Sequence, residues 1–182
     1  MNKLKSALLI AAVIACCLPA VAQQRRVSPH ETISTVIDGN RIVVVYGRPY
    51  TKAPRGGEDR KIWGGLVPYG KVWRLGADEA TLLVTQKPLM IGETSVPAGA
   101  YTLYMLPEES GAAKLIINKA VGQWGTQYSE GDDLGRAEMK KGDLEKKADQ
   151  LTVAVEKNPA GGGVLKVMWE NTEYSVPITV QK

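Results

Sequence analysis

Arg48, Tyr50, Lys61, Trp63, Tyr69, Lys71, Trp73 and Arg74 fall within one loop-rich region of the chain. These residue types suit ligand recognition. A guanidinium pairs bidentately with carboxylate or phosphate and stacks on aromatic faces. Indole and phenol rings offer a flat apolar surface with a polar rim, which fits sugars or peptides. The densest part is residues 61–81, KIWGGLVPYGKVWRLGADEAT, with two tryptophans, one tyrosine, four glycines and five charged side chains. No amphipathic periodicity fits it, so it reads as a long ordered loop feeding a strand. The candidate ligand-binding residues are Arg48, Trp63, Tyr69, Arg74 and Glu79. Trp124 joins them from a second loop, where Gln123 and Tyr128 would help form the opposite wall of a cleft. The alternative is that Trp63 and Trp73 plug one end of a core that has no Phe. For Trp73, flanked by Val72 and Leu75, the core role is expected.

Catalytic constellations are harder to find. His30 is the only histidine, and a single His without a second His or Cys makes a poor zinc or copper site. A serine triad would need His30 as its base, and no G-x-S-x-G nucleophile motif is present. Gly161-Gly162-Gly163 reads as a hairpin loop, because no helix start or Lys-Ser/Thr follows to make a phosphate cradle. Asp78 and Glu79 are adjacent, so on a strand they would point to opposite faces. A glycosidase needs two carboxyls about 5 to 10 Å apart. Glu79 with Glu170 or Asp133 could meet that, though no spacing selects them. The competing expectation is a buried ion pair of Glu79 with Arg74 or Arg48. No catalytic residue, metal ligand or cofactor is therefore expected. Three roles follow: a non-catalytic module binding a small-molecule, glycan or peptide ligand, an envelope glycan or peptide hydrolase using Glu79, or an assembly protein pairing through an edge strand at residues 173–181.

The N-terminus carries an address. Lys3 and Lys5 precede an apolar run over residues 7–17, and Ala20-Val21-Ala22 has small residues where a signal peptidase reads. This predicts a secretory signal over residues 1–22, too short to span a membrane. Cys16 and Cys17 both lie inside it, so cleavage after Ala22 leaves no cysteine. Val13-Ile14-Ala15-Cys16 also resembles a lipoprotein cleavage box, which would make Cys16 a lipid anchor. Either route predicts an exported protein, periplasmic or extracellular in the first case and membrane-tethered in the second. Setting Lys3 and Lys5 aside, 23 − 2 leaves 21 basic against 19 acidic residues. That balance does not favour nucleic acid as a partner. Hydrophobic content of 44% and charged content of 23% are those of an ordinary globular chain.

Residues 23–30 read as a flexible lead and 31–182 as a single β domain. Asp38-Gly39-Asn40 lies between two β-branched runs, residues 32–37 and 41–46, a strong hairpin signal. Further strands are expected at 80–86, 89–91, 94–96 and 100–106, where one face would meet the core. Residues 113–118 are apolar on both faces, which suggests a central strand. Residues 122–135 form the second long loop. Residues 134–140 read as a weak strand and 144–149 as a short helical turn or loop. A three-strand meander closes the chain, with Pro177 marking an edge or bulge. About ten short strands without a convincing long helix predict an all-β fold, an antiparallel β-sandwich or flattened barrel with two long ordered loops.

The chain resembles a bacterial family catalogued as domain of unknown function 2911. The resemblance rests on Tyr46-Gly47-Arg48-Pro49, on residues 62–74 (IWGGLVPYGKVWR) and on Gly76-Ala77-Asp78-Glu79-Ala80-Thr81. It continues through residues 97–103, Asn118-Lys119, Gly122-Gln123-Trp124-Gly125, Trp169-Glu170 and Val176-Pro177-Ile178. It implies an exported β domain and no established catalytic residues. The family usually has Asn where this chain has Asp78. If that Asn donated its amide to a ligand, the site here would be altered, since an ionised carboxylate only accepts.

Overall fold

The computed structural model describes residues 26–181. The expected signal sequence over residues 1–22, with Cys16 and Cys17, lies outside the described residues.

The first hairpin forms where its turn chemistry dictates. Strands β1 (His30–Ile37) and β2 (Asn40–Gly47) pair in register from Ile37 opposite Asn40 to His30 opposite Gly47. Asp38 and Gly39 both take positive φ, 46° and 72°, as a two-residue turn matched to strand twist requires. His30, assigned to the flexible lead by the sequence, is instead the first residue of β1.

Seven more strands follow: β3 (Thr81–Thr85), β4 (Leu89–Ile91), β5 (Thr94–Val96), β6 (Gly99–Pro107), β7 (Ala113–Asn118), β8 (Asp133–Lys157) and β9 (Gly163–Val180). The only helical turn among the described residues is a 3₁₀ turn at Glu130–Asp132. The strands make one nine-stranded sheet in the order β1-β2-β3-β6-β7-β8-β9-β4-β5, antiparallel throughout. β8 lets the sheet fold over. Its first part, through Met139, pairs with β7, and from Lys140 onward it pairs with β9. The two halves then face each other across one core, with Val44, Leu83, Leu103 and Leu115 on one side and Val153, Leu165, Val167 and Val176 on the other. The free edge of β1 approaches β8 through side chains. Thr35 donates to the Val155 carbonyl at 3.1 Å, and beside it Tyr46 Oη of β2 accepts from the Val153 amide at 3.0 Å. The ladder is not closed into a barrel, so the fold is an all-β, sandwich-like folded sheet.

Several expectations need correction. Residues 144–149 are extended, not a helical turn. Their helix-favouring composition is overridden because β8 bulges between its clamped flanks and pairs sideways with the segment after β2: the Thr51 amide donates to the Asp149 carbonyl at 2.8 Å and the Leu151 amide to Pro49 at 2.9 Å. The closing meander is two long strands rather than three short ones, since Glu170, at φ 53°, only kinks β9. Residues 172–175 of β9 pair with β8 and 178–180 with β4, so the segment over residues 173–181 is not a free sheet edge along its length. Pro177 is tolerated because it lies just past the end of the β4 ladder, whose last pair is Ile91 opposite Ile178. Its carbonyl still accepts from the Gly92 amide at 2.9 Å. β6 is buried on both faces, not one. Tyr104, with Ala80 and Ile116, forms a second apolar cluster covered by Val72, Leu106 and Tyr128.

Candidate functional site

The loop before β3 is rigid because it is hydrogen-bonded to itself and plugged into the core. Gly64 takes φ 75°, its amide donates to the Val67 carbonyl at 2.9 Å, and the Tyr69 ring lies where any Cβ at Gly64 would sit. Trp63 meets Trp73 edge-on at 6.0 Å and Tyr174 at 5.1 Å, and Trp73 stacks on Trp169 at 5.9 Å. Trp73 also exchanges two 2.8 Å backbone hydrogen bonds with Met105. Each aromatic pair contributes roughly 0.5–1.5 kcal/mol beyond its area burial. Trp63 and Tyr69 thus shape the loop from within.

Arg48 also serves the scaffold. Its guanidinium donates to the Leu151 carbonyl and to Thr152 Oγ1, both at 2.9 Å, and pairs with Glu31 at 2.8 Å. It staples the end of β2 to the far half of the sheet.

Glu79 pairs with neither Arg74 nor Arg48. Arg26 reaches its two carboxylate oxygens at 2.6 and 2.5 Å, and His30 Nε2 lies 3.5 Å from it and 3.2 Å from Asp78. The pair is solvent-facing, with side chains 43% and 39% exposed. The Arg26 hydrogen bonds hold the Glu79 carboxyl below its ordinary range. A general acid at neutral pH needs the opposite shift, which weighs against hydrolysis with Glu79 in that role. Asp78 and Glu79 converge on one histidine because Asp78 is not on a strand: its φ is 65°, a left-handed conformation that Asn and Asp tolerate better than most residues. That conformation would suit Asn equally, so an Asp-for-Asn exchange at this position leaves the backbone path open.

Sequence reasoning missed Arg26 and undervalued His30. Continuing the hairpin register by two residues would have placed His30 opposite Gly47. Gly47 lies against the Ala77 carbonyl so closely that a Cβ there would come within 2.3 Å of it. No local signal marks Arg26, whose partner is 53 positions away.

The two long loops meet. The Ala80 amide donates to the Gln123 carbonyl at 3.2 Å and the Gly125 amide to Asp78 at 3.0 Å. The Arg74 stem packs on Gly125, where a Cβ would come within 2.2 Å of Arg74 Cδ. Arg74 Nε donates to the Gly76 carbonyl at 3.3 Å. Between the loops lies a cleft of about 600 Å³ with Lys71, Trp73, Arg74 and Asp78 on one wall and Gly125, Thr126 and Tyr128 on the other. Burial pushes the Tyr128 phenol up to about 12, and its hydroxyl donates to Asp133 at 2.8 Å. A second cleft of about 510 Å³, lined by Tyr50, Thr51, Lys52, Arg55 and Asp149, shares Val27, Ser28, Pro54 and Arg60 with the first, so the two form one trough. A third, of about 290 Å³, takes Glu79, His30 and Gln123. Of the candidate residues, Arg74 lines the trough and Glu79 the small cleft. Arg48, Trp63, Tyr69 and Trp124 line neither. Trp124 is 47% exposed beside them. Among the described residues, no group of three or more His, Cys, Asp or Glu is arranged to hold a metal ion, and no helix is long and apolar enough to cross a membrane.

A folded antiparallel sheet with a trough between two rigid loops defines the class: an all-β domain that carries its candidate site on loops. The chain belongs to the family described as Protein of unknown function (DUF2911), which matches residues 28–178. Comparisons with curated proteins and with solved structures find no match.

Proposed function

We propose that this chain is an exported, non-catalytic binding domain whose ligand occupies the trough between the two long loops. The supporting observation is the trough itself. Its two clefts lie within the roughly 300–1,000 Å³ range of ligand sites, and its walls are held by backbone hydrogen bonds and packed indoles rather than by mobile chain. Such walls order little on binding and so cost little affinity. Arg74 supplies directed charge, while Trp73 and Tyr128 supply ring surface. Trp63, Tyr69 and Arg48 act through the scaffold by keeping those groups in place.

Thermal-shift screening of the purified domain against glycans, peptides and organic acids tests the binding role. A stabilising compound should lose its effect on Arg74→Ala, provided that the variant keeps the wild-type circular dichroism. No shift from any class would overturn the proposal. Export rests on the leader and is tested separately. Processed protein in the cell envelope beginning after Ala22 supports the soluble route. Processing and membrane retention lost in Cys16→Ser would establish the lipoprotein route. Full-length protein retained in the cytoplasm would contradict both.

A further inference from the structure

The trough carries a charge imbalance that the chain as a whole lacks. We propose that its ligand is a multiply charged organic oxyanion, a small molecule with at least two carboxylate or phosphate groups. This rests on the binding role above and names its chemistry.

Arg60, Lys71 and Arg74 line the larger cleft, and Lys52 and Arg55 join Arg60 in the smaller one. None of the five is in an ion pair among the described residues, which is also true of Arg41, Lys61, Lys87 and several other surface lysines; what sets the five apart is that they line one trough. The walls also carry two carboxylates, Asp78, 3.2 Å from His30 Nε2, and Asp149, 3.5 Å from Lys147 Nζ, so five cations face two anions. Beyond the leader, basic residues barely outnumber acidic ones, so the positive trough is a local arrangement.

The cations are also arranged for directed contacts. Arg60 is oriented by the backbone, its Nε donating to the Thr51 carbonyl at 3.4 Å and its terminal nitrogen to the Tyr50 carbonyl. Carbonyls fix a guanidinium without neutralising it. Arg74 is fixed by Gly125 and the Gly76 carbonyl. Two oriented guanidinium groups, one shared between the clefts and one in the larger, suit a ligand with two separated anionic groups. Lys52, Arg55 and Lys71 are exposed and free to adapt.

Calorimetric titration of the mature protein with citrate, pyrophosphate and neutral maltotriose, at low salt and at about 0.5 M salt, tests this. At least one acid should bind, with affinity falling at high salt, and Lys71→Glu should weaken it about ten-fold or more. Lys71 is exposed, so the result does not depend on Arg74 variants folding. Whichever acid binds more tightly identifies carboxylate or phosphate as the preferred group. Binding of maltotriose with neither acid bound would leave the binding role standing and overturn this inference. So would acid affinity unmoved by Lys71→Glu. Failure of both acids at millimolar concentration also overturns it, and the wider screen then decides the binding role alone.

Discussion

At the scale of single residues, the Arg26, His30, Asp78 and Glu79 cluster holds the start of β1 against the loop that precedes β3. Because Glu79 has a lowered pKa in the folded state, its contribution is present above the ordinary glutamate range and is lost as pH falls through the folded value. The melting temperature should therefore decline in acid, and Glu79→Gln should flatten part of that decline. A variant that declines as steeply as wild type would remove Glu79 from the account. Solvent screening keeps the effect small. Arg48 is better covered and more fully bonded, so Arg48→Ala should cost roughly 2 kcal/mol in denaturant unfolding. Gly125→Ala places a methyl inside the Arg74 stem and against the Asp78 carbonyl. It should cost about 1–3 kcal/mol and disturb the trough wall. Glu79 stands out in the sequence, but its partners do not. His30 and Arg26 owe their roles to contacts made 48 and 53 positions away, and neighbouring residues do not encode such contacts.

At the scale of elements, Trp63 and Trp124 look alike in sequence, each a tryptophan in a glycine-containing loop, but they play opposite parts. Trp63 is packed between two aromatic rings while Trp124 projects outward. Trp63→Ala should cost roughly 3 kcal/mol, whereas Trp124→Ala should stay within about 0.5 kcal/mol. Equal losses in the two variants would contradict the assignment. What could be read from sequence follows the range of the forces involved. The β1–β2 hairpin was legible because Asp38-Gly39 alone sets its turn. β7 was legible because Leu115-Ile116-Ile117 is apolar on both faces and central strands need that. The extended path of residues 144–149 was hidden, since composition there favours helix and only pairing with distant segments decides otherwise. Both faces of β6 are buried because the second loop folds over Tyr104, which period-two alternation cannot reveal.

At the scale of the molecule, one long strand shared by both halves of the sheet turns nine antiparallel strands into a two-sided core. The loops before β3 and before β8 then close on each other, and the trough beside them collects five cations that make no ion pair among the described residues. The aromatic-rich segment first read as a binding loop therefore divides its work. Its tryptophans mainly seal the fold, and its Arg74 and Lys71 face the cleft. Amide chemical-shift mapping of the isotopically labelled domain over residues 23–182, titrated with whichever acid or screened compound binds, tests this division most directly. Shifts should concentrate in residues 50–60, 71–78 and 125–128, with Arg48 and Tyr174 unmoved. Shifts confined to the opposite end of the sheet, or to the neighbourhood of Trp124 alone, would contradict it.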